Sequence, residues 1–243
     1  MIDNFNLVQV ASYIGAGLAV GISSIGAGAG EGFIAANTSR ALMQQPKAGE
    51  SLLKTMLIGQ ALTETGAIFS LVIAMLLLFG GVTNPDGGWQ MVASLFGAGL
   101  VVGLGSLGPA LGNGYTGAQT CKGIGRQPRQ ANLLTANMLI GQALSQTSAI
   151  FALVIAMILL YSAPVGNSIV KSFALMGAVF SMGLGTFGPG LGIGVVAAKT
   201  VDGISRFPNQ APLLTRTMFV GAAVAESTSI YSLVVAFLLI FVT

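Results

Sequence analysis

The sequence contains no histidine and only one cysteine, Cys121. Histidine is the usual general base near neutral pH and a common transition-metal ligand, so its absence argues against much hydrolytic and metal chemistry. One cysteine forms neither an internal disulfide nor a thiolate metal site, and we interpret it as a small apolar packing residue. The glycine-rich stretches also lack the Lys-Ser/Thr pair of a phosphate-binding loop. We therefore expect neither a catalytic site nor a bound cofactor.

Charged residues are scarce too, at 7% of 243 residues, whereas about a quarter of a soluble domain is charged. Hydrophobic residues make up 53%, and the mean hydropathy is +0.84. This composition excludes an ordinary soluble protein, and the formal charge of +3 is too small to indicate nucleic-acid binding. Most of the 35 glycines fall within apolar stretches, which is typical of membrane helices.

The chain contains three copies of one unit. Residues 58–79 and 140–161 are identical at 16 of 22 positions, and residues 220–241 match the first copy at 11. The preceding segments, 15–46, 97–128 and 177–208, repeat at the same offsets of 82 and then 80 residues. Such a fixed period indicates one supersecondary unit used repeatedly. We predict hairpins at 1–83, 84–165 and 166–243.

Each unit has two apolar runs of about 20 residues or more, enough to cross a hydrocarbon core of roughly 30 Å. The pattern predicts an all-α membrane protein with six transmembrane helices, near 6–44, 50–80, 88–125, 130–162, 167–205 and 210–242. Nine of the ten basic residues lie at or near the loops inside the hairpins, and only Lys171 lies at the opposite ends. The positive-inside rule then predicts cytoplasmic loops and external termini, in a plasma or inner membrane.

The first helix of each hairpin carries glycines at i, i+4 spacing, which lets helix backbones approach closely in lipid. The series comprises Gly17/Gly21, Gly26/Gly30, Gly28/Gly32, Gly99/Gly103, Gly108/Gly112, Gly188/Gly192 and Gly190/Gly194. Its recurrence in every copy favours many such helices packed side by side in a homo-oligomeric ring. Pro109 and Pro189 lie within these helices and are expected to bend them.

Three of the seven acidic residues, Glu31, Glu64 and Glu226, lie within apolar spans. A carboxylate at membrane depth costs several kcal/mol and usually marks an ion pathway. Because no buried lysine or arginine is available to pair with them, we expect these groups to be protonated or to bind a cation. The alternative is a structural carboxylic acid held neutral by a neighbouring helix. Glu64 and Glu226 share one repeat position, whereas Glu31 matches no acid in the other copies.

The middle copy has Gln146 at the position of Glu64 and Glu226. An amide neither exchanges a proton nor neutralises a cation, so this hairpin is predicted to carry no ion. Each copy has a hydroxyl one residue further on and others nearby, which suits Na⁺ because hard cations prefer oxygen ligands. The hydroxyl residues are Thr65, Thr147 and Ser227, with Thr63, Ser145, Ser148, Thr228 and Ser229 nearby.

Residues 225–233 (AESTSIYSL), the loop 125–128 (GRQP) and the glycine-rich first helices resemble the proteolipid (c) subunit of F-type ATP synthases. The resemblance covers nearly the whole chain three times over, and a fused chain with one inactive hairpin is also similar to V-type and A-type proteolipids. It implies a lipid-embedded rotor ring that carries Na⁺ or H⁺ past an arginine of a stator a-type subunit, with ATP chemistry in other subunits. It further implies that the loops contact the central stalk through Gln44, Gln45, Pro46, Arg126, Gln127, Pro128, Arg206, Phe207 and Pro208.

The same resemblance implies roles for the residues that match the family's ion site. Glu64 and Glu226 match its ion-carrying carboxylate. The remaining matches are Thr65 and Ser227 for the hydroxyl ligand of sodium-binding members, Leu62 and Val224 for the backbone carbonyl, and Tyr231 for the tyrosine that holds the carboxylate.

One position on the first helices differs among the three copies. Glu31 stands where sodium-binding members have a glutamine and resembles part of a two-carboxylate sodium site. Asn113 and Ile193 occupy this position in the other copies, and isoleucine there is typical of proton-binding members. The resemblance thus leaves Na⁺ and H⁺ both open.

The alternative function is a passive cation channel or a pore-forming membrane scaffold. A channel is expected to line its lumen with repeated polar residues. These carboxylates instead occur singly, beside large apolar residues of the second helices, which favours a site that faces lipid or a stator.

Overall fold

The computed structural model describes residues 4–81, 84 and 87–242. In this part of the chain six long α-helices contain nearly all residues, and no strand is present. Their bounds are Asn4–Gln44 (α1), Gly49–Phe79 (α2), Trp89–Arg126 (α3), Ala131–Tyr161 (α4), Ile169–Arg206 (α5) and Ala211–Phe241 (α6). Each is long and apolar enough to cross a membrane, which confirms the predicted fold class. The observed ends lie within two residues of the predicted ones.

One turn of 3₁₀-helix joins the two helices of each hairpin, at Pro46–Ala48, Pro128–Gln130 and Pro208–Gln210. Proline suits the first position of a helix because its φ angle is already near the helical value and the N–H that it lacks would have no intrahelical partner there. The three prolines therefore separate the long helices at the same place in each repeat. The prolines predicted to bend helices, Pro109 and Pro189, lie inside α3 and α5, which continue through them.

The glycine-rich helices α1, α3 and α5 pack side by side and form what we call the glycine row. A Cβ added at Gly26 would lie 2.7 Å from Leu107 O, and one at Gly30 would lie 2.6 Å from Ala110 O. Gly112 makes the equivalent approach to α5, where an added Cβ would lie 2.6 Å from Gly190 O. Real Cβ atoms do not approach backbone this closely, so these glycines set the distance between neighbouring helices.

Glycines at the two edges of the row have open space instead. A Cβ added at any of them meets nothing within 4 Å: Gly17, Gly21, Gly28 and Gly32 on α1, and Gly188 and Gly192 on α5. By the repeat offsets, Gly17 corresponds to Gly99, which packs directly on Gly15 of α1. Gly192 corresponds to Gly112, which packs on α5. The two edges therefore carry complementary halves of a contact that the chain already makes twice internally.

The leucine-rich helices α2, α4 and α6 form an outer row over the grooves of the glycine row. α2 lies against α1 and α3, and α4 lies against α3 and α5, whereas α6 packs on the glycine row mainly through α5. In the most apolar stretch of 18 residues, 72% is buried in α3 but only 17% in α6. The third hairpin thus leaves one side of its outer helix uncovered.

Candidate ion-binding site

The predicted ion position lies within each outer helix, at Glu64 on α2, Gln146 on α4 and Glu226 on α6. The side chains of Gln146 and Glu226 meet polar groups on the outer helix of the preceding hairpin or on the adjoining glycine-row helix. Since Asn113 also donates to Leu62 O of the first hairpin, each of these two positions includes groups from two hairpins. The three positions differ in burial and in their polar neighbours.

At the middle position, buried amide side chains bond to one another and to the backbone of α2. Gln146 is 7% exposed, and Asn113 on α3 is fully buried. Asn113 Nδ2 donates hydrogen bonds to Gln146 Oε1 at 3.2 Å and to Leu62 O of the first hairpin at 3.3 Å. Gln142 donates to Gly59 O at 3.2 Å and to Asn113 O at 3.0 Å. Two buried amides thus tie the second hairpin to the α2 backbone.

The third position combines a carboxylate with hydroxyls. Glu226 is partly buried, and its Oε2 accepts a hydrogen bond from Ser148 Oγ of α4 at 3.3 Å. Ser229 Oγ lies 3.4 Å from Ser148 Oγ, whereas the Thr147 hydroxyl donates to Leu144 O of its own helix at 2.7 Å. Glu226 Oε1 is buried and has no partner within the described part of the chain. A buried oxygen with free lone pairs beside hydroxyls is suited to hold a proton or Na⁺.

The residue that lies opposite an ion position, on the outer helix of the preceding hairpin, differs between the carboxylate position and the amide position. Ser148 is opposite Glu226, and its repeat counterpart on α2 is Gly66. Gly66 is opposite Gln146, since a Cβ added there would lie 3.5 Å from Gln146 Nε2. The counterpart on α6 is Thr228, exposed at the edge of the chain. Within the chain, a hydroxyl therefore stands opposite the carboxylate and a glycine stands opposite the amide.

The first position lies at the open edge of the chain. Glu64 is exposed on α2, and Glu31 on α1 is near enough for the two negative charges to repel each other. Gln60 Nε2 donates to Glu31 O at 3.3 Å, which repeats the bond from Gln142 to Asn113 O. The structure thus brings together the two acids that the sequence singled out in the first hairpin.

The predicted hydroxyl ligands bond to carbonyl groups of their own helices. Thr65 Oγ1 donates to Ala61 O at 3.2 Å, and Ser227 Oγ donates to Val224 O at 2.7 Å. Helical hydroxyls commonly make such bonds, so these contacts leave the ligand roles of Thr65, Ser227 and Val224 as predictions.

Two further predicted site residues lie elsewhere than expected for ligands of their own hairpin's carboxylate. Leu62 O accepts the hydrogen bond from Asn113, so it contributes to the position of Gln146. Tyr231 is 66% exposed, and the described hydrogen bonds of Glu226 do not include it. The site residues predicted from the sequence came from the two helices of one hairpin, whereas the structure builds the middle and third positions across two hairpins.

The three predicted stalk-contacting loops, 44–46, 126–128 and 206–208, occupy equivalent places between the helices of each hairpin. Arg126 Nη1 donates to Asp202 Oδ1 at 2.6 Å, and Arg206 Nε donates to Asp202 Oδ2 at 3.2 Å. This ion-pair cluster joins α3 to α5 at the loop end. Phe207 is 65% exposed beside it.

Comparison with known proteins identifies the family. The family model for the C subunit of ATP synthase matches residues 14–77, 96–159 and 176–239. The chain belongs to this ATP synthase C-subunit family. Each match covers both helices of one hairpin, and every match includes one of the three ion positions.

Its relatives within this family come in two lengths. The chain is 30% identical to the K subunit of the A-type ATP synthase of Methanocaldococcus jannaschii over 226 residues, which is 93% of this chain and 94% of the relative. It is 52% identical to the ATP synthase c-subunit of Natranaerobius thermophilus over 85 residues, or 35% of this chain and 94% of the relative. The c-subunit of Alkaliphilus oremlandii is 51% identical over 79 residues, or 32% of this chain and 85% of the relative. This C-subunit family member thus has about the length of the Methanocaldococcus K subunit, and the stretches that match the two shorter relatives are more nearly identical to them.

Proposed function

We propose that the chain is the rotor subunit of a rotary ATP synthase or ATPase and that Glu64 and Glu226 each carry one Na⁺ or H⁺ across the membrane. The observation that supports this most strongly is the partly buried Glu226 carboxylate, with Ser148 donating to one oxygen and the other oxygen unpaired among the described residues. Gln146 occupies the same repeat position with its oxygen already bonded to Asn113. Two hairpins of each chain are therefore ion carriers, and the middle hairpin is not.

The chain works as one segment of a closed ring of identical chains. The open glycines of α1 would pack against α5 of a preceding copy, as Gly99 packs against α1. In that arrangement α6 of the preceding copy lies beside α2, and its Thr228 stands opposite Glu64 as Ser148 stands opposite Glu226. The site of Glu226 then lies inside one chain, whereas the site of Glu64 lies between two chains.

Rotation of the ring past a stator links the sites to ATP chemistry in other subunits. As the resemblance implies, each carboxylate releases its ion beside an arginine of the stator and reloads from the other side of the membrane. The basic loop end faces the cytoplasm, by the positive-inside rule, and contacts the central stalk. The chain itself is not catalytic in this proposal.

A middle hairpin without a carboxylate changes the ratio of ions to ATP. The ATP count per turn is set by the catalytic head, so a ring with one inactive hairpin in three moves a third fewer ions per ATP than a fully active ring of equal hairpin number. Each charge moved against 100 mV costs roughly 2.3 kcal/mol, so fewer ions per ATP permit a steeper final gradient. This favours an ATP-driven pump, or a synthase that needs a high ion-motive force. Counting the chains per ring tests this preference for pumping. A ratio of ions to ATP as high as that of ordinary synthases would contradict it.

Single neutralising substitutions test the proposal. Glu64→Gln and Glu226→Gln should each stop ATP-driven ion transport in reconstituted vesicles, because two consecutive positions without a carboxylate, the substituted one and Gln146, must then pass the stator. Glu50→Gln, at the start of α2 near the loop, is the matched control and should transport normally. Full transport by Glu226→Gln would contradict the proposal.

A further inference from the structure

The middle position has an amide donor, Asn113, on its glycine-row helix, where the first and third positions have Glu31 and Ile193. Asn113 Nδ2 lies between two oxygens of different hairpins, 3.2 Å from Gln146 Oε1 and 3.3 Å from Leu62 O. A backbone carbonyl only accepts hydrogen bonds, so the atom that faces Leu62 O must be the amide nitrogen. Because this nitrogen is a donor, the Gln146 atom that faces it is the acceptor, Oε1.

Burial makes this donor essential to the contact. Asn113 and Gln142 are fully buried, and Gln146 is 7% exposed. Unpaired oxygens at such a site are costly in an apolar environment, and a cation or a proton would relieve that cost in a carboxylate site. Here an N–H₂ group does so without carrying charge. We call the contacts of Asn113, Gln142 and Gln146 with α2 the amide bridge.

We propose that the Asn113 carboxamide is a built-in substitute for the ion in the middle hairpin and keeps hairpins 1 and 2 joined whatever the ion concentration. This inference rests on the proposed function, since it takes Glu64 and Glu226 to be ion sites. At the equivalent position hairpin 1 has Glu31 and hairpin 3 has Ile193. Neither an ionised carboxylate nor an isoleucine side chain donates a hydrogen bond, so neither of them provides this substitute.

The site also has the oxygens that a cation needs once the amide nitrogen is removed. Leu62 O and Gln146 Oε1 both accept from Asn113 Nδ2. Asn113 Oδ1 and Gln142 Oε1 are buried and have no partner within the described residues. Replacing Asn113 by aspartate keeps the shape, removes the donor and adds a negative charge, so the same oxygens should then hold Na⁺.

The first test measures equilibrium binding of ²²Na⁺ to purified full-length rings in detergent at alkaline pH. Asn113→Asp should bind one more Na⁺ per chain than the unmodified ring, and Asn113→Leu should bind the same number as the unmodified ring. Asn137→Asp is the matched control because Asn137 is also a buried asparagine, although it lies on the outer helix α4 and not on the glycine row. It donates to Leu133 O and accepts from Thr215. It should add no Na⁺ site. An assembled Asn113→Asp ring without additional Na⁺, or an equal gain in Asn137→Asp, would overturn the inference.

The second test does not depend on assembly of the Asn113→Asp ring. In Gln146→Glu, Asn113 should donate to the new carboxylate and hold it in the unreactive ionised form. Adding Asn113→Ala should then speed its dicyclohexylcarbodiimide labelling about tenfold, the effect of one charge-assisted hydrogen bond. Glu226 is the standard within the same ring, and its rate should not change. Equal rates at position 146 in both variants would overturn the inference. An unlabelled Glu226 in unmodified rings would instead count against the proposed function.

Discussion

The middle and third ion positions share a helix register but differ in almost every polar group. In the middle position, Gln146 is bonded to Asn113 and is opposite Gly66. In the third, Glu226 is bonded to Ser148, and its second oxygen has no partner among the described residues. The position of Asn113 is occupied there by Ile193, whose side chain offers no hydrogen bond.

This difference shows that loss of the carboxylate is only one part of the change in the middle hairpin. An isolated Glu-to-Gln replacement would leave a buried amide without partners, which is costly in an apolar environment. The chain instead pairs Gln146 with Asn113, and Gln142 adds two bonds to the same interface. The middle position is therefore a contact between hairpins made by neutral amides, although Asn113 Oδ1, Gln142 Oε1 and Gln146 Nε2 have no partner among the described residues. At the third position the unpaired atom is instead a carboxylate oxygen of Glu226.

The largest expected effect concerns the spacing of the glycine row, on which both positions depend. Gly112→Leu should prevent the chain from folding, because Gly112 already lies against Gly190 and Gly194. Gly28→Leu should leave the chain folded but block ring assembly, because Gly28 is open within the chain. Native gel electrophoresis and helix content measured by circular dichroism separate the two outcomes.

Gly49→Ala is the control for the glycine substitutions, since a Cβ there meets only Leu42 at 3.7 Å. Its rings should resemble those of the unmodified chain. Normal rings with leucine at both Gly28 and Gly112 would remove the packing argument and with it the common geometry of the three positions.

The next effect distinguishes the first position from the third. Glu31 lies near Glu64 at the first position, where the two acids repel each other when both are ionised, and a bound cation relieves this repulsion. We expect this site to bind Na⁺. Glu31→Gln should preserve binding and shift its pH dependence. Glu31→Leu should weaken Na⁺ relative to H⁺ by about tenfold or more, the effect of losing one charged ligand. If ATP hydrolysis coupled to the ring shows no Na⁺ dependence at alkaline pH, the ion is a proton.

A smaller, reciprocal effect should separate the two carboxylates. Ser148→Ala removes the hydrogen bond to Glu226, which disfavours the ionised form and should speed dicyclohexylcarbodiimide labelling of Glu226 about threefold to tenfold. Glu64 should be unaffected. Thr228→Ala should do the reverse in an assembled ring, because Thr228 stands opposite Glu64 of the next chain in the proposed arrangement. Equal changes at both carboxylates in either variant would contradict the assignment of sites across hairpins.

The smallest effect is expected at the loop end, away from all three positions. Asp202→Asn removes the ion pairs with Arg126 and Arg206, whose side chains are partly exposed. Such pairs contribute at most about 1 kcal/mol, so the ring disassembly temperature should fall slightly and the difference should shrink at high salt. A large loss of stability, or one that salt does not change, would show that this cluster holds the hairpins together.

The sequence predicted the fold because the apolar runs, the repeats and the turn prolines are local signals. The helix ends near Gln44 and Pro46, for example, follow from proline alone. The sequence also singled out Glu64 and Glu226 as acids within apolar spans, and their assignment as ion sites stays a prediction. The sequence did not reveal the polar partners of these positions, because Leu62 O faces Asn113 and Ser148 faces Glu226 only after the hairpins pack against each other. The alignment of Gly66, Ser148 and Thr228 carried a signal, but repeat position does not reveal which hairpin a side chain faces.

The most direct test of the account is the number and identity of reactive carboxyls per chain. Purified rings labelled to completion with dicyclohexylcarbodiimide should carry the reagent on Glu64 and Glu226 and nowhere else in stoichiometric amount, as mapped by mass spectrometry, with Glu31 slower or silent. Na⁺ added before the reagent should slow labelling wherever Na⁺ is the bound ion. A ring that is labelled on only one of these two residues, or equally on a third residue, would contradict the account. The account has two ion-carrying positions per chain and a middle position in which amides replace the carboxylate.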